Sequence, residues 1–257
     1  MRTFKSMQRG HGGLRCTKVL LKDTMKNRNK SRQSGFTLVE IAIVLVIIGL
    51  LLGGVLKGQE MIENAKIKSI TNDMKAIQAA YNGYIDRYKA IPGDESLATM
   101  AARGWGSSAA AGGGNADGAL LIPAAQAFLN GGEQRAFWRA LRASGLVAGD
   151  PTGAAGAAGL PRHAGGGLLA VVSDAAGGGV YGQGGVQVCV AGLTTKQAAG
   201  IDSLIDGALP ATQIGNNLGS VRGQTNAANP FPPINAAPPG AAYSEATTTT
   251  WTLCMPI

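Results

Sequence analysis

Ser34-Gly35-Phe36-Thr37-Leu38-Val39-Glu40-Ile41-Ala42-Ile43-Val44-Leu45-Val46-Ile47-Ile48-Gly49-Leu50-Leu51-Leu52-Gly53-Gly54-Val55-Leu56 is the stretch on which the whole chain turns. From Phe36 to Leu56 there are 21 residues and one charge, Glu40. At about 1.5 Å rise per residue this run makes about 30 Å of helix, the thickness of a bilayer hydrocarbon core. Residues 1–35 before it hold ten Lys or Arg and a single acid, Asp23. The first charge after it is Lys57. The basic flank predicts that the leader stays in the cytoplasm and the C-terminal region crosses the membrane.

That distribution also explains the net charge of +8 over 257 residues. Residues 36–257 carry 13 basic and 14 acidic side chains, a net of −1. The exported part therefore has no electrostatic footprint for nucleic acid. His11 and His163 are the only histidines, which leaves little for histidine-based metal binding or catalysis. The glycine runs at 112–114 and 177–179 lack the Lys-Ser/Thr of a phosphate loop and read as flexible surface loops. No enzyme constellation emerges, and no cofactor or metal is expected.

A secretory signal is cut after its apolar core, at a small-residue site. Here the small residue, Gly35, precedes the core. Cleavage there removes the charged leader and keeps the apolar helix. The block Gly35-Phe36-Thr37-Leu38-Val39-Glu40 with its apolar run resembles the class III signal of type IV prepilins and type II secretion pseudopilins. The resemblance implies that a membrane aspartic prepilin peptidase cuts between Gly35 and Phe36 and methylates the new amine. The subunit then waits in the inner membrane until an assembly platform and its ATPase extract it into a helical filament, a pilus or a secretion pseudopilus. A lone carboxylate in a bilayer costs about 2.5 kcal/mol or more near the helix centre, so Glu40 needs a partner. Its neighbours Leu38, Val39 and Ile41 offer none. The resemblance supplies one, the Phe36 amine of the adjacent subunit. The plainer alternative is that Glu40 sits near the helix end and reaches the headgroups.

The helix is expected to run on to Ala90, since Ile67, Ile70, Met74, Ile77, Tyr81, Tyr84 and Tyr88 recur at alternating steps of three and four. Pro92-Gly93 is read as its stop. Many pilins carry a proline near the twenty-second mature residue, whereas this chain has Lys57 there and no proline from 36 to 91. Gly49, Gly53, Gly54 and Gly58 take its place, each weakening a helix by up to about 1 kcal/mol relative to alanine. Any melting is expected to centre on Gly53-Gly54; the alternative is that these glycines allow close helix packing.

Residues 91–257 are read as a globular head. A helix over 133–146, capped by Gly145, buries Phe137, Trp138, Leu141 and Leu146. A second helix spans 195–206, with Thr194 or Thr195 as N-cap. Strands are expected at 168–172, 186–190 and 247–254, and 229–240 is a proline-rich loop. The fold class is α+β and pilin-like: a long N-terminal helix packed on a small antiparallel sheet, with long Gly/Pro-rich loops. The divisions are 1–35 leader, 36–56 membrane or filament-core helix, 57–90 amphipathic continuation and 91–257 head. Shorter segments (91–94, 114–118, 137–141 and 201–207) resemble a glycine-rich subset of pilin-like proteins.

Cys189 and Cys254 form one disulfide if the head faces an oxidising compartment; the alternative is two thiols buried separately. In the resembled family a C-terminal disulfide loop is more typical of pilins than of major pseudopilins. Asn115-x-Asp117-Gly118 is a fragment of a calcium loop, but the remaining ligands are missing, so an Asx-type turn is the plainer reading. Asp202 and Asp206 stand one helical turn apart, a second pair that could face calcium, though such spacing is also common on a solvated face. The expected function is a structural filament subunit. The alternatives are a type II secretion pseudopilin and, from another class, a single-pass inner-membrane protein with a periplasmic binding domain.

Overall fold

The computed structural model describes residues 35–105, 114–129, 131–152, 159–173, 179–207, 219–226, 228, 230, 232–234, 243 and 249–257. It divides into two units, one ending at Leu50 and the other running from Leu51 to Ile257. In the first unit the chain is non-helical over 35–37 and enters helix α1 (Leu38–Tyr88). The second contains the rest of α1 and an α+β head.

In the head unit α1 buries Ile67, Ile70, Thr71, Met74, Ile77, Ala80 and Tyr84, the stripe expected from the three-and-four spacing. Tyr81 and Tyr88 are partly buried against the same core. The helix ends at Tyr88, two residues before the expected Ala90. Lys89 turns left-handed (φ 51°) while its amide still bonds the Ile85 carbonyl, so the reversal precedes Pro92. The exit is fastened by a buried group: Tyr84 and Arg103 both donate to Glu95, and the Arg103 guanidinium lies 4.7 Å from the Tyr88 ring centre. A short helix, α2 (Leu97–Ala102), capped by Ser96, carries Arg103 into place.

Gly93 at this exit has φ 96°, and a Cβ there would stand 2.8 Å from Leu120 Cδ1 and 2.9 Å from the Glu133 carbonyl oxygen. Gly93→Ala combines backbone strain with a clash against main chain. It is expected to lower stability by about 3 kcal/mol, read as a shift in the unfolding midpoint of the full chain.

Helix α3 (Gly132–Ala143) buries Phe137, Trp138 and Leu141, as its spacing predicts. It ends in a Schellman arrangement: Gly145 (φ 77°) donates to the Arg142 carbonyl and Leu146 to that of Leu141. Leu146 was expected in the buried face and is instead 38% exposed, because the left-handed Gly145 turns the chain off the helix axis.

Strands β1 (Leu169–Ser173), β2 (Val186–Leu193), β3 (Arg222–Asn226) and β4 (Thr250–Pro256) form one antiparallel sheet in the order β1-β2-β4-β3. The last strand in sequence is thus central. Cys189 and Cys254 face each other across β2 and β4, are fully buried and are joined as a disulfide. Between β2 and β3 lies α4 (Thr195–Ile205), with Thr194 as N-cap and Gln197 completing a capping box. A Cβ on Gly200 would lie 2.7 Å from Ile67 Cδ1, so α4 reaches α1 through a glycine. Strand β3 was not anticipated: Arg-Gly-Gln-Thr-Asn has no apolar alternation, and it is paired on one side by β4. The stretch 247–248 expected in the last strand, most of the proline-rich 229–240, and the glycines 112, 113, 177 and 178 lie outside the described residues.

Candidate functional site: the leader junction and the apolar helix

Gly35, Phe36 and Thr37 are exposed and non-helical immediately before α1. A Cβ on Gly35 would meet nothing within 4 Å, so no packing among the described residues requires glycine there. Phe36 is 83% exposed. An extended, accessible segment is what a peptidase needs, since a helical backbone withholds its carbonyls and amides from a cleft.

Helix α1 starts with a reciprocal cap. Thr37 donates its backbone N–H (2.8 Å) and its hydroxyl (2.9 Å) to Glu40 Oε2, and the Glu40 amide donates to Thr37 Oγ1 (3.3 Å). This is the Thr-x-x-Glu capping box, and it satisfies helix-end donors that would otherwise be orphaned. In hydrocarbon, where no water replaces a missing partner, that matters more than in a soluble helix. Sequence reasoning missed Thr37 as the partner of Glu40, although the Thr-x-x-Glu spacing before an apolar run carries the signal. Both donors converge on Oε2, so Oε1 has no partner among the described residues and remains able to accept a further donor.

In the first unit every side chain from Leu38 to Leu50 is exposed, and in the second so is every side chain from Leu51 to Leu56. The run is long and apolar enough to cross a membrane, and none of its most apolar window is buried within the chain. A contiguous apolar surface of this size requires lipid or other protein to cover it. Cβ atoms on Gly49, Gly53, Gly54 and Gly58 would likewise meet nothing within 4 Å. No contact among the described residues accounts for these four glycines. Just beyond the apolar run, Lys57 pairs with Glu60 at 2.9 Å on the exposed helix surface.

The other acidic candidates are occupied by internal work. The Asn115 side chain accepts the Asp117 amide at 3.2 Å, which is the Asx-type turn. The same loop is held by Asp94, whose carboxylate accepts the amides of Asp117 (3.1 Å) and Gly118 (3.0 Å), and by Glu133, which accepts that of Leu121. Burial pushes the Glu133 carboxyl above its ordinary range. Asp202 accepts the Tyr243 hydroxyl at 2.8 Å, and Asp206 takes the amides of Ser220 (3.1 Å) and Val221 (2.8 Å) at the start of β3. Among the described residues no three His, Cys, Asp or Glu side chains are grouped to hold a metal ion.

Residues 30–56 match the prokaryotic N-terminal methylation motif. Neither a curated protein nor a solved structure matches the chain. The matched residues are the type IV prepilin-like signal. They mark the chain as a pilin- or pseudopilin-like substrate of a prepilin peptidase. The α+β layout, a long N-terminal helix followed by a four-stranded antiparallel sheet, is pilin-like.

Proposed function

We propose that the mature chain begins at Phe36 and is a structural subunit of a type IV pilus-like filament. The observation that carries this reading is the uncovered apolar helix, placed directly behind an exposed junction and opened by a capped carboxylate. In the inner membrane lipid covers that surface. In the filament the same surface packs on the helices of sister subunits, and the head coats the outside. Glu40 keeps Oε2 on its own Thr37 and offers Oε1 to the cationic Phe36 amine of the adjacent subunit. Gly53 and Gly54 supply either close approach or a loosened turn along the helix. The chain is cargo and building block, processed by the peptidase and moved by the assembly platform and its ATPase, with no catalysis of its own. The Cys189–Cys254 bond favours a pilus over a secretion pseudopilus, because the resembled pilins close a C-terminal loop in this way.

The test is made in cells that hold the peptidase. Intact mass of the membrane form should correspond to a methylated chain starting at Phe36, and sheared surface filaments should contain it. Replacing Gly35 by a bulky residue such as tryptophan should leave the leader attached and remove those filaments. A mature chain starting elsewhere, or surface filaments built from the uncut Gly35→Trp chain, would overturn the reading.

A further inference from the structure

His163 lies in the tight turn that leads into β1, and only 3% of its surface is exposed. Both ring nitrogens are committed. Nδ1 accepts the Gly165 amide at 3.0 Å, and Nε2 lies 2.9 Å from the Ala191 carbonyl oxygen on β2. An amide only donates here and a carbonyl only accepts, so the ring must be neutral with its one proton on Nε2. The turn is built around that ring. His163 N donates to the Gly167 carbonyl (3.1 Å), Gly166 N to that of His163 (2.8 Å), and Leu169 N to that of Pro161 (2.9 Å). At Gly167 a Cβ would stand 1.9 Å from the Ala191 oxygen and 2.4 Å from His163 Nε2, so the contact leaves no room for a side chain.

We propose that His163 is an acid-operated clasp: neutral, it fastens the 163–167 turn to β2, and protonated, it releases that turn. A proton added at Nδ1 points at the Gly165 N–H, turning a bond into a donor–donor conflict. The charged group facing the ring from α1 is Asp73. From α4 the neighbour of this turn is the neutral amide of Gln197, whose Oε1 would lie 3.5 Å from a Cβ on Gly165. β2 presents only the Ala191 backbone, and on the turn itself Arg162 spends its guanidinium on the Gly166 carbonyl. Asp73 therefore favours the charged ring, while burial and the Gly165 amide oppose it. Burial is the larger influence and holds the imidazole below its ordinary value of 6.5. A depressed histidine makes the unfolded turn the better proton binder, so the clasp is at full strength above 6.5 and weakens as pH falls below that value.

His11 and His163 are the only histidines, so their ring signals are separable in the full chain in lipid nanodiscs, and His163→Gln identifies one of them. Between pH 7.5 and 5 the His163 ring should titrate below 6.5. In step, protection of the Gly165 amide from hydrogen exchange, corrected for intrinsic rate, should fall roughly tenfold, the loss of one part-buried hydrogen bond. In His163→Gln the Gly165 protection should be low and independent of pH. Protection that stays flat through the wild-type His163 titration overturns the clasp. So does an equal pH response in the variant. The wild-type titration decides the matter even if the variant fails to fold. The clasp is independent of filament assembly, since it is read on unassembled chain.

Discussion

Glu40→Ala should leave the chain processed and membrane-bound while cutting filament yield about a hundredfold. In lipid the capped carboxylate is tolerable because two donors of Thr37 already meet Oε2. In the proposed filament the Phe36 amine of the neighbour would enter the same apolar surroundings and need a counter-charge there. Deleting one member of a buried charge pair costs about 3 kcal/mol or more, because the other is left uncompensated, and 1.4 kcal/mol is a factor of about ten. Glu40→Gln separates the two roles of the residue. Its side-chain carbonyl still accepts from Thr37, so the helix start survives, but the charge is gone. Filament yield should be low in both variants, with α1 frayed at Thr37 only in the alanine variant. Counting sheared filaments alongside the intact mass of the membrane pool separates assembly from processing. Unchanged polymer yield in Glu40→Ala would end the proposal.

Replacing both Cys189 and Cys254 by serine should destabilise the head by about 4 kcal/mol, the loop-closure entropy of a cross-link whose ends are 65 residues apart. Two hydroxyls set into a fully buried position add an unsatisfied-group penalty in the same direction. Denaturant unfolding of the full chain in detergent, with and without reductant, measures the difference. Oxidised wild type should unfold last, reduced wild type at lower denaturant, and the serine variant at or below reduced wild type. Identical midpoints for all three would mean that the bond constrains nothing in the unfolded chain. In the native state the thiol reagent should react only as fast as the sheet opens, because neither sulfur reaches solvent.

The strongest sequence signals were periodic. The α1 stripe from Ile67 to Tyr84 was legible because three-and-four spacing over several turns has few alternative explanations. Helix α4 could be placed from Thr194 and its following residues, and α3 from Gly145. β3 was not legible, because its residues gain their place by main-chain pairing with β4 and by Asp206 gripping the amides of Ser220 and Val221. α2 is six residues long, too short for a period. Leu146 misled because helical spacing was carried past a left-handed glycine. At the site, Gly35, Phe36 and Glu40 stood out from the order of charge, small residue and apolar run. Thr37 did not, because its role is a hydrogen bond across one turn rather than a departure in polarity. The clasp at His163 was invisible in sequence: beside the local Gly165 amide, its carbonyl partner lies on β2, twenty-eight residues away, and its charged neighbour on α1.

The position of β4 carries a consequence for the order in which the head can close. This strand is the last of the four in sequence, yet it lies between β2 and β3 and supplies the second sulfur of the disulfide. β1, β2 and β3 all precede it along the chain, and none of them can complete the sheet without it. The sheet and its disulfide therefore close only when β4 takes its place, and Cys189 has no native partner until Cys254 joins it.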